Sequence, residues 1–159
     1  YTSLRVGASA AKGICYGLGK PLIAVDTLES LARASANGGD DAAWLYCPMI
    51  DARRMEVYAA MYDASFRLIQ EPRALIIDED SFSNYFERGK TIVFSGNGAS
   101  KCRAVLKNFR ARFREVTCDA AFLTVLAQRA FDRKAFQDIA YYAPFYLKPP
   151  NITKPKKVL

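Results

Sequence analysis

The chain has 159 residues, of which 51% are apolar, 25% charged and 13% aromatic. This suits a globular protein with one compact core, and no apolar run approaches the ~20 residues of a membrane-spanning helix. Lys and Arg number 23 against 16 Asp and Glu, a net charge of +7 that favours acidic partners, nucleic acid among them.

The predicted elements begin with a helix. Thr2 or Ser3 can cap it, and it runs to about Gly17, with Gly19 and Pro21 ending it. Leu4, Gly7, Ala8, Ala11, Cys15 and Leu18 fall on one helical face, and most of them are small. Such a stripe lets a second helix approach closely. Val6, Ala10 and Ile14 are available for a second face. Leu22 to Val25 reads as a short strand, and Thr27 caps a second helix through about Ala34. The polar run Asn37-Gly38-Gly39-Asp40-Asp41 is the best boundary in the chain.

Strands follow. Ala43 to Ile50 pairs with Glu56 to Tyr62 across the Asp51-to-Met55 turn, and Phe66 to Ile69 and Ala74 to Ile77 continue the sheet. Asp80 or Ser81 caps a short helix to Phe86, and Thr91 to Phe94 is another strand. The loop Ser95 to Ser100 opens a helix ending near Phe109. A last helix spans Ala120 to Phe131, with Phe122, Val125, Leu126, Arg129 and Ala130 at helical spacing. The stretch 149–159 is rich in Pro and Lys and reads as a loosely held tail. Antiparallel strands followed by alternating helices and strands predict an α/β fold with a mixed sheet flanked by helices.

There is no histidine. Within this chain that excludes Ser-His-Asp and Cys-His nucleophile activation and His-ligated zinc. Cys15, Cys47, Cys102 and Cys118 show no C-x-x-C spacing, so zinc and thioredoxin-like chemistry are not expected. Their apolar neighbours favour four reduced, mostly buried thiols over disulfides.

Four segments, in this order, resemble one family. They are Tyr1-Thr2-Ser3-Leu4-Arg5-Val6-Gly7 continuing to Gly13, Pro21 to Leu28, Ile50 to Tyr58, and Tyr142 to Lys148. The family is TsaB (YeaZ), the non-catalytic paralogue of the tRNA threonylcarbamoyl transferase TsaD, whose relatives are often labelled glycoproteases. The resemblance implies a two-lobed actin/Hsp70/sugar-kinase (ASKHA, ribonuclease H-like) fold, truncated at its N-terminus. Residues 1–38 would be a remnant of the first lobe, 39–148 the second lobe and 149–159 the tail. It further implies a cytoplasmic scaffold with no catalytic residue, metal or cofactor. That scaffold binds and activates a TsaD-like subunit forming threonylcarbamoyladenosine at position 37 of ANN-decoding tRNAs. A TsaE-like ATPase would dock on the pair, tRNA would be contacted indirectly, and the chain would form a homodimer when its partner is absent.

Two sites follow as expectations. The partner interface is placed on the first helix, at Leu4, Arg5, Gly7, Ala8, Ala11, Lys12 and Cys15. The stripe can equally pack on the chain's own first lobe. A candidate vestigial nucleotide or anion site comprises Asp51, Gly96, Asn97 and Gly98. A strand, a Gly-rich loop and a helix start can cradle an anion, though glycine also serves such a turn sterically, and Asp51 can simply bond its own turn. Lys101, Arg103, Lys107, Arg110, Arg112 and Arg114 form a basic cluster, with Lys148, Lys154, Lys156 and Lys157 a second. Each reads either as a phosphate-attracting surface or as a solvated face, without aromatic interleaving. The alternatives are an ATP-dependent ASKHA-type small-molecule kinase, a glycoprotease-like hydrolase, disfavoured by the absent histidine, and an autonomous homodimeric binding module.

Overall fold

The structure is a computed structural model that describes residues 2–37 and 40–148. The expected tail at 149–159 lies outside the described residues, as do Gly38 and Gly39 of the expected boundary. Contacts divide the chain into two units. One joins the residues up to Leu22 with those from Phe136 onward, and the other is Ile23–Ala135.

In the first unit, α1 spans Thr2–Gly17. No residue of α1 is buried. Leu22 forms a single antiparallel bridge with Gln137, whose N–H donates to the Leu22 carbonyl at 2.8 Å. Sequence predicts a strand at Leu22 to Val25, but only this bridge forms.

The second unit is built on a five-stranded mixed sheet. Its strands are β1 (Leu45–Asp51), β2 (Glu56–Tyr62), β3 (Leu68–Ile76), β4 (Ile92–Ser95) and β5 (Ala111–Arg114), in the order β3-β2-β1-β4-β5. The pairs β1·β2 and β2·β3 are antiparallel, and β1·β4 and β4·β5 are parallel. The period of two along each strand builds both faces. Leu45, Cys47, Met49, Val57, Ala59, Met61, Ile92 and Phe94 point to one core cluster with Phe86, Cys102 and Leu106. Tyr46, Ala60, Tyr62 and Val93 point to the other, where Leu28 and Ala32 of α2 (Thr27–Ala34) meet them. β1 is therefore covered on both sides.

Several boundaries differ from expectation for identifiable reasons. Asp26, not Thr27, caps α2, with its Oδ1 accepting from the Glu29 N–H at 2.8 Å. The two strands expected over 66–77 are one, β3, because its register with β2 shifts around Ala59 and Met61 and then continues. The expected short helix is α3 (Ser83–Glu87), set behind an Asp78–Ser81 turn. The helix expected to reach Phe109 stops as α4 (Ala99–Cys102). Asn108 Oδ1 there accepts from the Arg110 N–H, and the open edge of β4 takes Ala111–Arg114 as a strand. The last expected helix begins as a 3-10 turn at Ala120–Leu123 and becomes α5 over Thr124–Asp132, with only Leu126 buried. Of the four thiols, two are buried; Cys15 is half-buried and Cys118 exposed, and all four are free.

Candidate functional site

The two expected sites fall in different units. In the second unit, Asp51 ends β1 and enters a tight turn in which Arg53 and Arg54 both adopt positive φ, 72° and 47°. Asp51 Oδ1 accepts from the Arg53 N–H at 2.8 Å, so the carboxylate holds its own turn. Lys101 of α4 pairs with the same carboxylate and also donates to the Glu56 carbonyl at 2.7 Å. The ammonium beside it, with help from the Arg53 N–H, holds the Asp51 carboxyl below the usual carboxylate range.

The glycine loop lies directly on β1. Gly96 has φ 87°, and a Cβ built there would stand 2.5 Å from the Met49 carbonyl oxygen. A Cβ at Gly98 would stand 2.9 Å from the Ile50 carbonyl carbon. The Gly98 N–H donates to the Met49 carbonyl at 2.9 Å, and the Ala99 N–H to the Gly96 carbonyl at 3.1 Å. Asn97 Oδ1 accepts from the Asp51 N–H at 3.0 Å. The structure thus brings Asp51, Gly96, Asn97 and Gly98 together as expected, and adds Lys101. The N–H groups of Asp51, Gly98 and Ala99 are engaged within this knot, which joins the end of β1 to the start of α4. In sequence Lys101 reads as part of the basic cluster; its partner lies 50 positions away and leaves no local signal.

In the first unit, the expected interface residues separate by exposure. Leu4 is 51% exposed, and Gly7 is exposed beside it. Ala8, Ala11, Lys12 and Cys15 are half-covered. Lys12 Nζ donates to the carbonyls of Ala140 and Tyr142, each at 3.1 Å. The Arg5 guanidinium lies 5.8 Å from the Tyr146 ring centroid, and the Cys15 thiol lies 3.6 Å from the Pro21 carbonyl. One side of the stripe therefore faces the chain's own 136–148 segment. The other side carries Val6, Ile14 and Leu18, exposed by 63%, 62% and 67%. For a helix this is a wide apolar face left in solvent.

Among the described residues, no group of three His, Cys, Asp or Glu could hold a metal ion. No helix of the described residues is long and apolar enough to cross a membrane.

A family model described as TsaD, tRNA N6-adenosine threonylcarbamoyltransferase, matches residues 1–154. The curated tRNA threonylcarbamoyladenosine biosynthesis protein TsaB of Bacillus subtilis (strain 168) is 30% identical over 110 residues. That match covers 68% of this chain and 46% of the relative, so the chain spans about half the length of the curated protein. A solved Pseudomonas aeruginosa protein, described as similar to the peptidase YEAZ, superposes with a TM-score of 0.71 at 24% identity. It covers 93% of this chain and 68% of that one. Pseudomonas aeruginosa YeaZ superposes with a TM-score of 0.69 at 24% identity, covering 92% of this chain and 69% of that one. These likenesses establish the fold, an ASKHA-type arrangement of mixed sheet and flanking helices.

Proposed function

This chain belongs to the TsaB (YeaZ) family, and we propose that it is a non-catalytic scaffold subunit in tRNA threonylcarbamoyladenosine biosynthesis. In this reading it binds a TsaD-like transferase in the cytoplasm and favours its active conformation by population shift. The transferase would modify adenosine 37 of ANN-decoding tRNAs, with a TsaE-like ATPase docking on the pair. The chain would form a homodimer in the partner's absence.

One observation carries the reading: α1 has no buried residue and presents Leu4, Gly7 and Ile14 to solvent, with Leu18 exposed just beyond its end. With the half-covered Ala11 between Gly7 and Ile14, these positions repeat at three- and four-residue steps, the spacing of a seam for a partner helix, and Gly7 and Ala11 permit close approach. Lys12 and Arg5, tied to the chain's own 140–146 segment, would set the angle of that helix rather than meet the partner.

Co-expression with the TsaD-like paralogue of the same genome, followed by pull-down and size-exclusion chromatography, tests this. A one-to-one complex is expected, lost on Ile14→Asp or Ala11→Arg but kept on Ser9→Arg. Absence of any complex, with both proteins folded, would remove the scaffold reading.

An ATP-dependent ASKHA enzyme is the second reading, because Asp51 and the Gly96 loop occupy neighbouring positions. The two readings separate on Asp51→Ala. The scaffold reading expects modification by the reconstituted complex to change less than about twofold, since the carboxylate serves its own turn. ATP hydrolysis by this chain alone, abolished by that substitution, would favour the enzyme.

A further inference from the structure

The basic cluster of residues 101–114 does not act as one surface. Lys101 is paired with Asp51 and Arg114 with Asp40, so both serve the fold. The rest meet new neighbours. β4 and β5 run parallel with Ile92 opposite Ala111, so the turns preceding the two strands lie at the same end of the sheet. Arg110 Nη1 donates to the Gly89 carbonyl at 3.0 Å, which fixes the two turns together. Arg112 Nη1 donates to the Phe109 carbonyl at 2.7 Å.

Arg88, Lys90, Lys107, Arg110 and Arg112 thus share one end of the sheet. No Asp or Glu occurs from Arg88 to Arg114; Glu87, the last residue of α3, and Glu115, which follows β5, flank the run. Among the described residues none of the five cations is in an ion pair. A ring sits among them: Phe109 is 75% exposed, with the Arg110 guanidinium 4.9 Å from its centroid. The aromatic interleaving not recognised in the sequence is therefore present in space. Arg110 and Arg112 each commit one of their five N–H donors to a carbonyl, which orients the guanidinium.

We propose that this end of the sheet binds nucleic acid directly. Arg110, Arg112, Lys90 and Lys107 meet phosphates, and Phe109 stacks on an unpaired base. Charge complementarity alone fits any polyanion. The exposed ring within the cations selects nucleic acid, because a base offers a π face and an acidic peptide does not. The proposal goes beyond an indirect relation to tRNA and stands on the patch alone, whatever protein α1 binds.

Fluorescence anisotropy of this chain with labelled tRNA, and with a short single-stranded RNA, across a salt series tests it. Affinity should fall linearly with salt on logarithmic axes. Arg110→Ala with Arg112→Ala should lower affinity about tenfold near ~0.1 M salt and reduce the slope by about two. Phe109→Ala should weaken single-stranded binding about fivefold or more and leave the slope unchanged. Arg110→Lys with Arg112→Lys should retain the parent slope. Circular dichroism and thermal melts check that each variant is folded. Equal binding by the folded double-alanine variant would overturn the proposal. So would polyglutamate displacing RNA at equal charge while Phe109→Ala has no effect; that result would assign the patch to acidic proteins. Failure of the TsaD-like pull-down leaves every one of these outcomes intact, so the two readings fail separately.

Discussion

Arg114 Nη2 lies 2.5 Å from Asp40 Oδ1, joining the last strand of the sheet to the loop that follows α2. Asp40 Oδ2 also accepts from the Tyr46 hydroxyl at 2.8 Å and the Asn37 N–H at 2.9 Å, and Arg114 Nη1 donates to the Ser35 carbonyl at 2.6 Å. Asn37 and Asp40, from the run that reads as a boundary, are therefore clasped to β1 and β5. The Arg114 hydrogen bond outweighs burial and holds the Asp40 carboxyl far below the usual carboxylate range. Burial, then the Asp40 carboxylate, pushes the Tyr46 hydroxyl up to about 12.

This clasp predicts an acid-labile contribution to stability. The folded state lowers the Asp40 pKa below its unfolded value of about 3.9, so the contribution is fully present well above that pH and is lost as pH falls towards the folded value. Asp40→Asn should cost about 3 kcal/mol at pH 7, because it leaves the Arg114 guanidinium without its carboxylate. Urea denaturation from about pH 7 to pH 2 should show a shallower acid loss in the variant than in the parent. An identical acid slope would mean that another carboxylate governs it.

Glycines divide into those the fold requires and those it does not. Gly96→Ala should cost about 2–4 kcal/mol, since the new Cβ meets the Met49 carbonyl at 2.5 Å and φ is 87°. At Gly7 a Cβ meets nothing within 4 Å. Gly7→Ala should therefore strengthen α1 by about 0.5–1 kcal/mol, through helix propensity. Denaturation midpoints for Gly96→Ala and hydrogen exchange on α1 for Gly7→Ala would measure the two effects. A neutral Gly96→Ala would show that the loop can move off β1.

Much of the sheet is legible in sequence because its burial is periodic. Alternate residues of β1, β2 and β4 separate into the two core clusters, so even a single-sequence pattern locates them. β5 is different. Ala-Arg-Phe-Arg is too short to carry a pattern and forms a strand where β4 offers an open edge and Phe113 stacks on Phe94. Local pattern carries no record of that edge. The same limit applies to the sites. Asp51 and the glycine loop are visible as turn chemistry. The partners of Lys101 and Lys12 depend on contacts 50 and 128 positions apart. Phe109 is visible as a residue, but its exposure among cations depends on the register of two parallel strands.

The β1–β2 turn carries strain that substitution should relieve. Arg53 and Arg54 both hold positive φ, where a Cβ is unfavourable and glycine or asparagine is preferred. Arg54→Gly should raise stability by about 0.5–1 kcal/mol, and Arg53→Asn with it by somewhat more. Chemical denaturation measures this directly. Destabilisation would mean that an Arg54 side-chain contact outweighs the backbone strain.

The cysteines test the packing of the sheet with a chemical readout. Cys47 lies on β1 and Cys102 on α4, both buried on the same core face. Burial is the leading cause that pushes both thiols up, so neither supplies thiolate near neutral pH. Cys118 is exposed and Cys15 half-buried. Brief iodoacetamide treatment of the folded chain should therefore label Cys118 first and Cys15 more slowly. Cys47 and Cys102 should react only after denaturation, as peptide mass mapping would show. Native labelling of Cys102 alone would mean that α4 lifts from the sheet, breaking the Lys101–Asp51 pair with it. Labelling of Cys47 at the Cys118 rate would require β1, covered on both faces, to open, and the strand order derived above would then be wrong.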